Sequence, residues 1–190
     1  TVRLQVADDE QFTRLRVERE LGALAEHDHC LRVKVEGLQP GQRYHYRFLR
    51  LQAGEWVSSP PGITRTAPAA NAATGGLRFA FMSCQDFGGR WYNTLVPLLD
   101  QELDFILHLG DFIYESVGDA SFQDVGGERS IRFTDEAGTL RIGKRGNDYL
   151  AAASLDNYRQ LHREYRTDPV LQALLERAPL VAIWDDHEFS

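Results

Sequence analysis

Hydrophobic positions in the first third of the chain recur at every second residue. Phe12 to Val17 and Leu31 to Val35 alternate apolar with polar side chains, and Leu31, Val33 and Val35 fall on one face. Tyr44, Tyr46 and Phe48 repeat that period, and Trp56 opens a further short run. A period of two marks half-buried strands, because successive side chains of an extended chain point to opposite faces. Gly37-Leu38-Gln39-Pro40-Gly41, Gly54 and Pro60-Pro61-Gly62 supply the turns between the runs. Short strands punctuated in this way predict a β-sandwich over residues 1–67. A complete sandwich needs about seven strands and roughly 100 residues. Only about five runs are visible, so the expectation is a partial one.

Residues 68–76, Pro-Ala-Ala-Asn-Ala-Ala-Thr-Gly-Gly, are small and turn-forming and read as a linker. The period changes in the segment that follows, residues 77–190. Arg78 to Met82, Asp104 to Leu109 and Leu180 to Trp184 are short apolar runs of the kind that form buried strands. Tyr92 to Leu103 carries Leu95, Leu98, Leu99 and Leu103 at helical spacing. Ser154 is placed to cap a helix bearing Leu155, Tyr158, Leu161 and Tyr165. Asp168-Pro169 is placed to start another, with the acid at the cap and proline in the first turn. Residues 115–148 are rich in glycine and charge and give no clear element. They read as a long excursion, either a lid beside a site or a disordered insert. Strands alternating with helices predict an α/β domain with a largely parallel sheet.

Charge and cysteine content narrow the function classes. Asp and Glu number 28 against 21 Lys and Arg, a formal charge of −7. Such a chain is poorly suited to long nucleic acids or anionic membranes, which demand neutralisation of phosphate. If it acts on a phosphate, the positive charge must be local, and metal ions are the obvious source. Cys30 and Cys84 fall in different predicted domains, which argues against a disulfide. No signal peptide or membrane span is visible.

Each apolar run of the second segment leads into a cluster of polar groups. The first ends in Ser83-Cys84-Gln85-Asp86, the second in Gly110-Asp111-Phe112-Ile113-Tyr114-Glu115, the third in Asp185-Asp186-His187-Glu188. Ligands of open α/β sheets bind outside the carboxyl ends of the strands. Three such clusters therefore converge on one crevice. The donor types fit a metal pair. Two cations about 3.5–4 Å apart need a bridging carboxylate and further anionic ligands. Asp111 can bridge, Cys84 offers a thiolate and Tyr114 a phenolate, a pairing that suits iron better than magnesium. Asp186 offers a carboxylate suited to calcium or manganese.

These residues resemble the PhoD-like alkaline phosphatase family of the calcineurin-like metallophosphoesterase superfamily. The resemblance rests on Phe79-Ala80-Phe81-Met82-Ser83-Cys84-Gln85, on Leu103-Asp104-Phe105 with His108-Leu109-Gly110-Asp111-Phe112-Ile113-Tyr114-Glu115, and on Trp184-Asp185-Asp186-His187-Glu188. The segment Leu38-x-Pro40-Gly41-x-x-Tyr44-x-Tyr46 is similar to the fibronectin and immunoglobulin-like pattern in which a tyrosine pins a turn. The resemblance implies the first half of a metallophosphoesterase-type α/β sandwich behind an immunoglobulin-like domain. It implies hydrolysis of phosphomonoesters or phosphodiesters by a metal-bound hydroxide, with ferric iron and calcium as the metals and Mn or Zn as substitutes. Cys84 and Tyr114 stand where the family holds iron, Asp111 where it bridges, and Asp186 where the superfamily places a metal-binding Asn. His187 matches the catalytic histidine. Asp185, Glu188, Arg90 and His108 are expected around that shell or against substrate, with Glu188 orienting its neighbour and Gly88-Gly89-Arg90 approaching a phosphate. Export across the bacterial membrane is implied as well.

The superfamily takes further ligands, including a Gly-His-x-His element, from the second half of its fold. No such element is present here, so the expectation is a fragment whose missing half completes the site. Two rival functions follow from the same residues. One is a metal-free hydrolase with Cys84 as nucleophile and His187 as base. The other is a binding module formed by the sandwich, beside an inert catalytic half.

Overall fold

The computed structural model describes residues 1–73, 75–144 and 146–189. The chain divides into two compact units. Thr1–Phe79, Glu102–Phe105 and Leu175–Pro179 make one, and the remaining described residues make the other.

The first unit is built on β1 (Val2–Ala7), β2 (Leu15–Leu21), β3 (Arg43–Gln52), β4 (Glu55–Ser58) and β5 (Gly62–Arg65). They form a single antiparallel sheet in the order β2-β1-β3-β4, with β5 also pairing β3. A second facing sheet is not found among the described residues. Strand β1 was not anticipated, although Val2, Leu4 and Val6 alternate as a strand should; Leu4 and Val6 are core residues beside Tyr44. The expected strand from Phe12 starts later, at Leu15. Phe12 instead has φ 57° in the turn that precedes β2. Residues 31–35 pair with no ladder, yet Val33, Val35 and Leu38 still pack against the core. Burial alone set their alternation. The expected tyrosine-pinned turn is present, since the Gln39 amide donates to the Tyr44 hydroxyl at 2.8 Å.

The strands that carry the candidate site lie in the second unit apart from Phe79 and Phe105, as does all but the last turn of the second helix below. Strand β6 (Phe79–Met82) and β7 (Phe105–His108) precede a three-stranded antiparallel sheet of β8 (Ser116–Val117), β9 (Thr139–Lys144) and β10 (Asn147–Ala152). Helices α1 (Leu155–Tyr165) and α2 (Pro169–Arg177) follow, then β11 (Leu180–Ala182). The order β11-β7-β6 makes a short sheet. Strand β11 runs parallel to β7. Strand β6 advances with β7, because Asp104 and Leu109 amides donate to Arg78 and Met82 carbonyls in turn. These strands are buried on one face only. Ile106 and His108 are 0% exposed, whereas Phe81 is 71% and Val181 52% exposed.

Between β6 and β7 the expected helix over 92–103 is a 3-10 helix, Asn93–Asp100. Pro97 lies inside it and has no N–H for an α-helical bond. Both predicted caps are in place. The Ser154 hydroxyl accepts from the Asn157 amide at 3.2 Å, and Asp168 accepts from the Val170 and Leu171 amides at 2.9 Å. Leu155, expected on the apolar face of α1, is exposed, while Asn157 and Gln160 are buried.

The described residues of the excursion at 115–148, which leave out residue 145, are an ordered part of the unit. Arg129 and Asp168 form a buried ion pair at 2.5 Å, and the Arg129 guanidinium lies 3.8 Å from the Phe87 ring centre and 4.7 Å from that of Trp91. The buried amides of α1 hold its other side. Asn157 donates to the Asp135 carbonyl, and Gln160 accepts from the Thr134 amide. Gly89, at φ 70°, lets the excursion backbone close in. A Cβ there would lie 2.7 Å from the Asp124 nitrogen.

Candidate metal centre

The ends of β6, β7 and β11 are zipped together by backbone bonds. The amides of Cys84 and Gln85 donate to the carbonyls of Gly110 and Asp111 at 3.2 and 3.1 Å. The carboxylate of Glu188 accepts from the amides of Asp111 (3.1 Å), Phe112 (2.5 Å) and Asp185 (2.8 Å). Burial alone would raise the Glu188 pKa. The four backbone donors, Asp185, Phe112, Asp111 and Ile113, outweigh it and hold the group below the usual carboxylate range. Gly110 makes the approach of the β7 and β11 loops feasible. Its φ is 104°, and a Cβ there would lie 2.5 Å from that of Asp185.

This frame gathers Asp111, Asp186 and His187. One donor atom from each lies within 4.8 Å of the others. Asp111 is 7% exposed, and its Oδ1 is buried without a hydrogen-bond partner among the described residues. A buried carboxylate oxygen left unpaired is costly, and a bound cation would satisfy it. The residues present therefore fit a metal ion. Asp111 and Cys84 both have a left-handed backbone, φ 55° and 57°. Non-glycine residues resist that region, and such strain collects at functional sites.

Tyr114 faces the same centre. Its hydroxyl is held well above the usual tyrosine range, first by burial, then by the charges of Cys84 and Asp111 and a hydrogen bond with Cys84. Cys84 thus stands beside Tyr114 and outside the three-residue cluster. The His187 ring lies 4.2 Å from that of Tyr114, and its Nδ1 meets Glu115 Oε2 at 2.5 Å. Burial works against the His187 cation, but the Glu115 bond and the charges of Glu115, Asp111 and Asp186 prevail and raise its pKa. With Nδ1 taken, Nε2 is the nitrogen available to a ligand.

The other expected residues divide. Asp185 caps the short 3-10 turn Asp186–Glu188, accepting from the Asp186 amide at 3.0 Å. Its partner in that turn, Glu188, is the staple described above. His108 is fully buried; Nδ1 accepts from the Gly110 amide at 3.3 Å, and burial lowers its pKa, so the neutral ring supports the β7 loop. Arg90 is not gathered into the cluster. It donates to Asp86 at 3.0 Å and to the Phe122 carbonyl at 2.9 Å, which fixes the 86–90 turn against the excursion.

Sequence reasoning missed two residues. Glu115 lies in the Gly-Asp-x-x-Tyr-Glu run and was given no role. Buried Asp86 accepts from Gly88, Arg90, Gln123 and the Tyr165 hydroxyl, and the same hydroxyl accepts from the Tyr114 amide. The only sequence signal for Asp86 was an acid close behind a buried strand. Cys30 and Cys84 are both unpaired. No helix among the described residues is long and apolar enough to cross a membrane.

Comparison with known proteins gives the chain's family. Residues 79–190 match the family described as PhoD-like phosphatase, and residues 1–68 match its N-terminal domain. Alkaline phosphatase D of Bacillus subtilis (strain 168) is 32% identical over 187 residues, 98% of this chain and 29% of that protein. A solved structure of PhoD superposes with a TM-score of 0.79 at 31% identity, covering 98% of this chain and 32% of that one.

Proposed function

The chain belongs to the PhoD-like phosphatase family, and from that membership and the site geometry we infer that it serves metal-dependent hydrolysis of phosphate esters, mono- or diesters. It spans 29% of the curated relative, so the activity of the whole protein is the proposal and this chain carries its share of the metal centre. We read the five-stranded sheet, residues 1–67, as one layer of an immunoglobulin-like sandwich. We read residues 77–190, after the linker, as half of a metallophosphoesterase sandwich. The observation that carries the reading is the convergence of Asp111, Asp186 and His187 around an unpaired, buried Asp111 Oδ1.

In this reading Asp111, Cys84 and Tyr114 would hold ferric iron, and Asp186 together with Asp111 would hold calcium, Mn or Zn being substitutes. The metals, when bound, neutralise the phosphoryl oxygens and lower the pKa of the attacking water. His187, steered by Glu115, offers Nε2 to the leaving-group oxygen. Protonated, it can donate there as the bond to phosphorus breaks. Glu188 and Gly110 keep the loops at the spacing these roles demand. The family resemblance also supports export from the cytoplasm.

Elemental analysis of the protein purified without chelators tests the proposal. Stoichiometric iron with calcium, lost in Asp111→Asn and reduced in Cys84→Ala, is expected. Hydrolysis of bis-p-nitrophenyl phosphate should then cease after chelation. Metal content unaltered by either substitution would sink the assignment.

A further inference from the structure

The excursion lines an open cavity of about 350 Å³ in the second unit. Small-molecule sites span about 300–1,000 Å³. Ser116, Phe133 and Tyr165, all buried, are among the residues that line it. Ile131, Leu150 and Tyr149 supply apolar sides. The cavity lining is linked to the metal-centre residues through the chain. Ser116 is two residues beyond Tyr114, which puts their Cα atoms within about 7.6 Å. Tyr165 lines the cavity, and its hydroxyl accepts from the Tyr114 amide at 3.0 Å.

The charged lining is mixed. Arg132 and Arg141 face the same space as Asp124, Glu136 and Asp148. Among the described residues no ion pair joins any two of the five. Carboxylates outnumber guanidinium groups by one, so the lining is not built for a second phosphate. A fatty chain would desolvate charged groups without pairing them, which is costly. A hydroxylated ring satisfies every part of the lining. Its hydroxyls donate to carboxylates, its oxygens accept from guanidinium groups, and its C–H faces rest on aliphatic and aromatic walls.

We propose that this cavity receives a sugar-type ring belonging to the alcohol half of the phosphate ester. The inference rests on the ester-hydrolysis reading above. The ring can belong to a sugar phosphate or to a nucleotide ribose.

Calorimetric titration of the metal-loaded protein with non-hydrolysable phosphonates tests it. Methylphosphonate is the ring-free probe. The methylenephosphonate analogues of glucose 6-phosphate and of AMP carry the ring, and the tighter of these identifies its source. A ringed analogue should bind at least about fivefold more tightly than methylphosphonate. Arg141→Ala and Glu136→Gln, both at exposed positions, should abolish that advantage and leave methylphosphonate binding unchanged. Equal affinity for ringed and ring-free probes, or an advantage that survives both substitutions, would overturn the proposal. Failure of methylphosphonate alone to bind would instead overturn the ester reading, and silence of all three probes would overturn both.

Discussion

His187 is the residue whose chemistry depends most on a neighbour. Its pKa is raised despite partial burial, because Glu115 bonds Nδ1 and Asp111 and Asp186 add negative charge. A raised folded-state value means that the fold prefers the cation. The stability this contributes is complete below the unfolded value of about 6.5 and is lost as pH rises through the folded value. Glu115→Gln removes the nearest charge, so the His187 titration should move down in pH. Histidine ring NMR on chelator-stripped protein, with His187→Gln as the assignment control, reads this directly. An unmoved midpoint would separate Glu115 from the histidine. Gly110 is a second case at this scale. Gly110→Ala forces a Cβ into a φ of 104° and against Asp185. Strain of this kind costs about 1–3 kcal/mol, and the urea midpoint should fall accordingly, together with iron content. If only stability falls and iron is retained, the loop spacing is not what holds the metal.

Among the elements, the excursion differs most from its sequence. Gly and charge between 115 and 148 suggested a lid or a disordered insert. Strands β9 and β10 form there nevertheless, and polar tethers fix the loop. Those tethers were illegible because their partners are distant: Arg129 meets Asp168, and Thr134 meets Gln160. Periodicity finds a helix face but cannot say that Asn157 and Gln160 will be buried to hold another segment. The caps at Ser154 and Asp168 were legible, since capping is local chemistry. So were the three strand ends with their acids and histidine, because a strand terminus fixes where its next residues must lie. The Asp168 carboxylate has two duties, capping α2 and pairing with Arg129. Asp168→Ala should therefore cost about 3–5 kcal/mol through the stranded arginine. Limited proteolysis should then cut within 118–138. Stability within about 1 kcal/mol of the parent would mean the cap is the whole effect.

At the scale of the chain, the short parallel sheet has an apolar face that is exposed in residues 1–190 taken alone. Phe79 stacks on Phe105 at 5.0 Å, Val181 is in register with Leu107, and Ile183 continues the same parity. Phe81 is 71%, Ile183 62% and the adjacent Trp184 73% exposed. The apolar runs here read as buried strands, yet Phe81, Val181 and Ile183 are exposed, since an apolar run reads the same whether or not its face is covered. A contiguous exposed apolar face on a chain of charge −7 should bind an anionic hydrophobic dye in spite of like-charge repulsion. Anilinonaphthalene sulfonate fluorescence should rise in the native protein at neutral pH and persist at high salt. The double variant Phe81→Thr, Ile183→Thr keeps β-branched or β-compatible side chains while removing apolar area. It should lower the dye signal severalfold and leave the thermal midpoint within a few degrees of the parent, because neither side chain is buried. A dye signal unchanged in that variant would place the binding elsewhere, and a collapsed midpoint would mean that these side chains are packed rather than open.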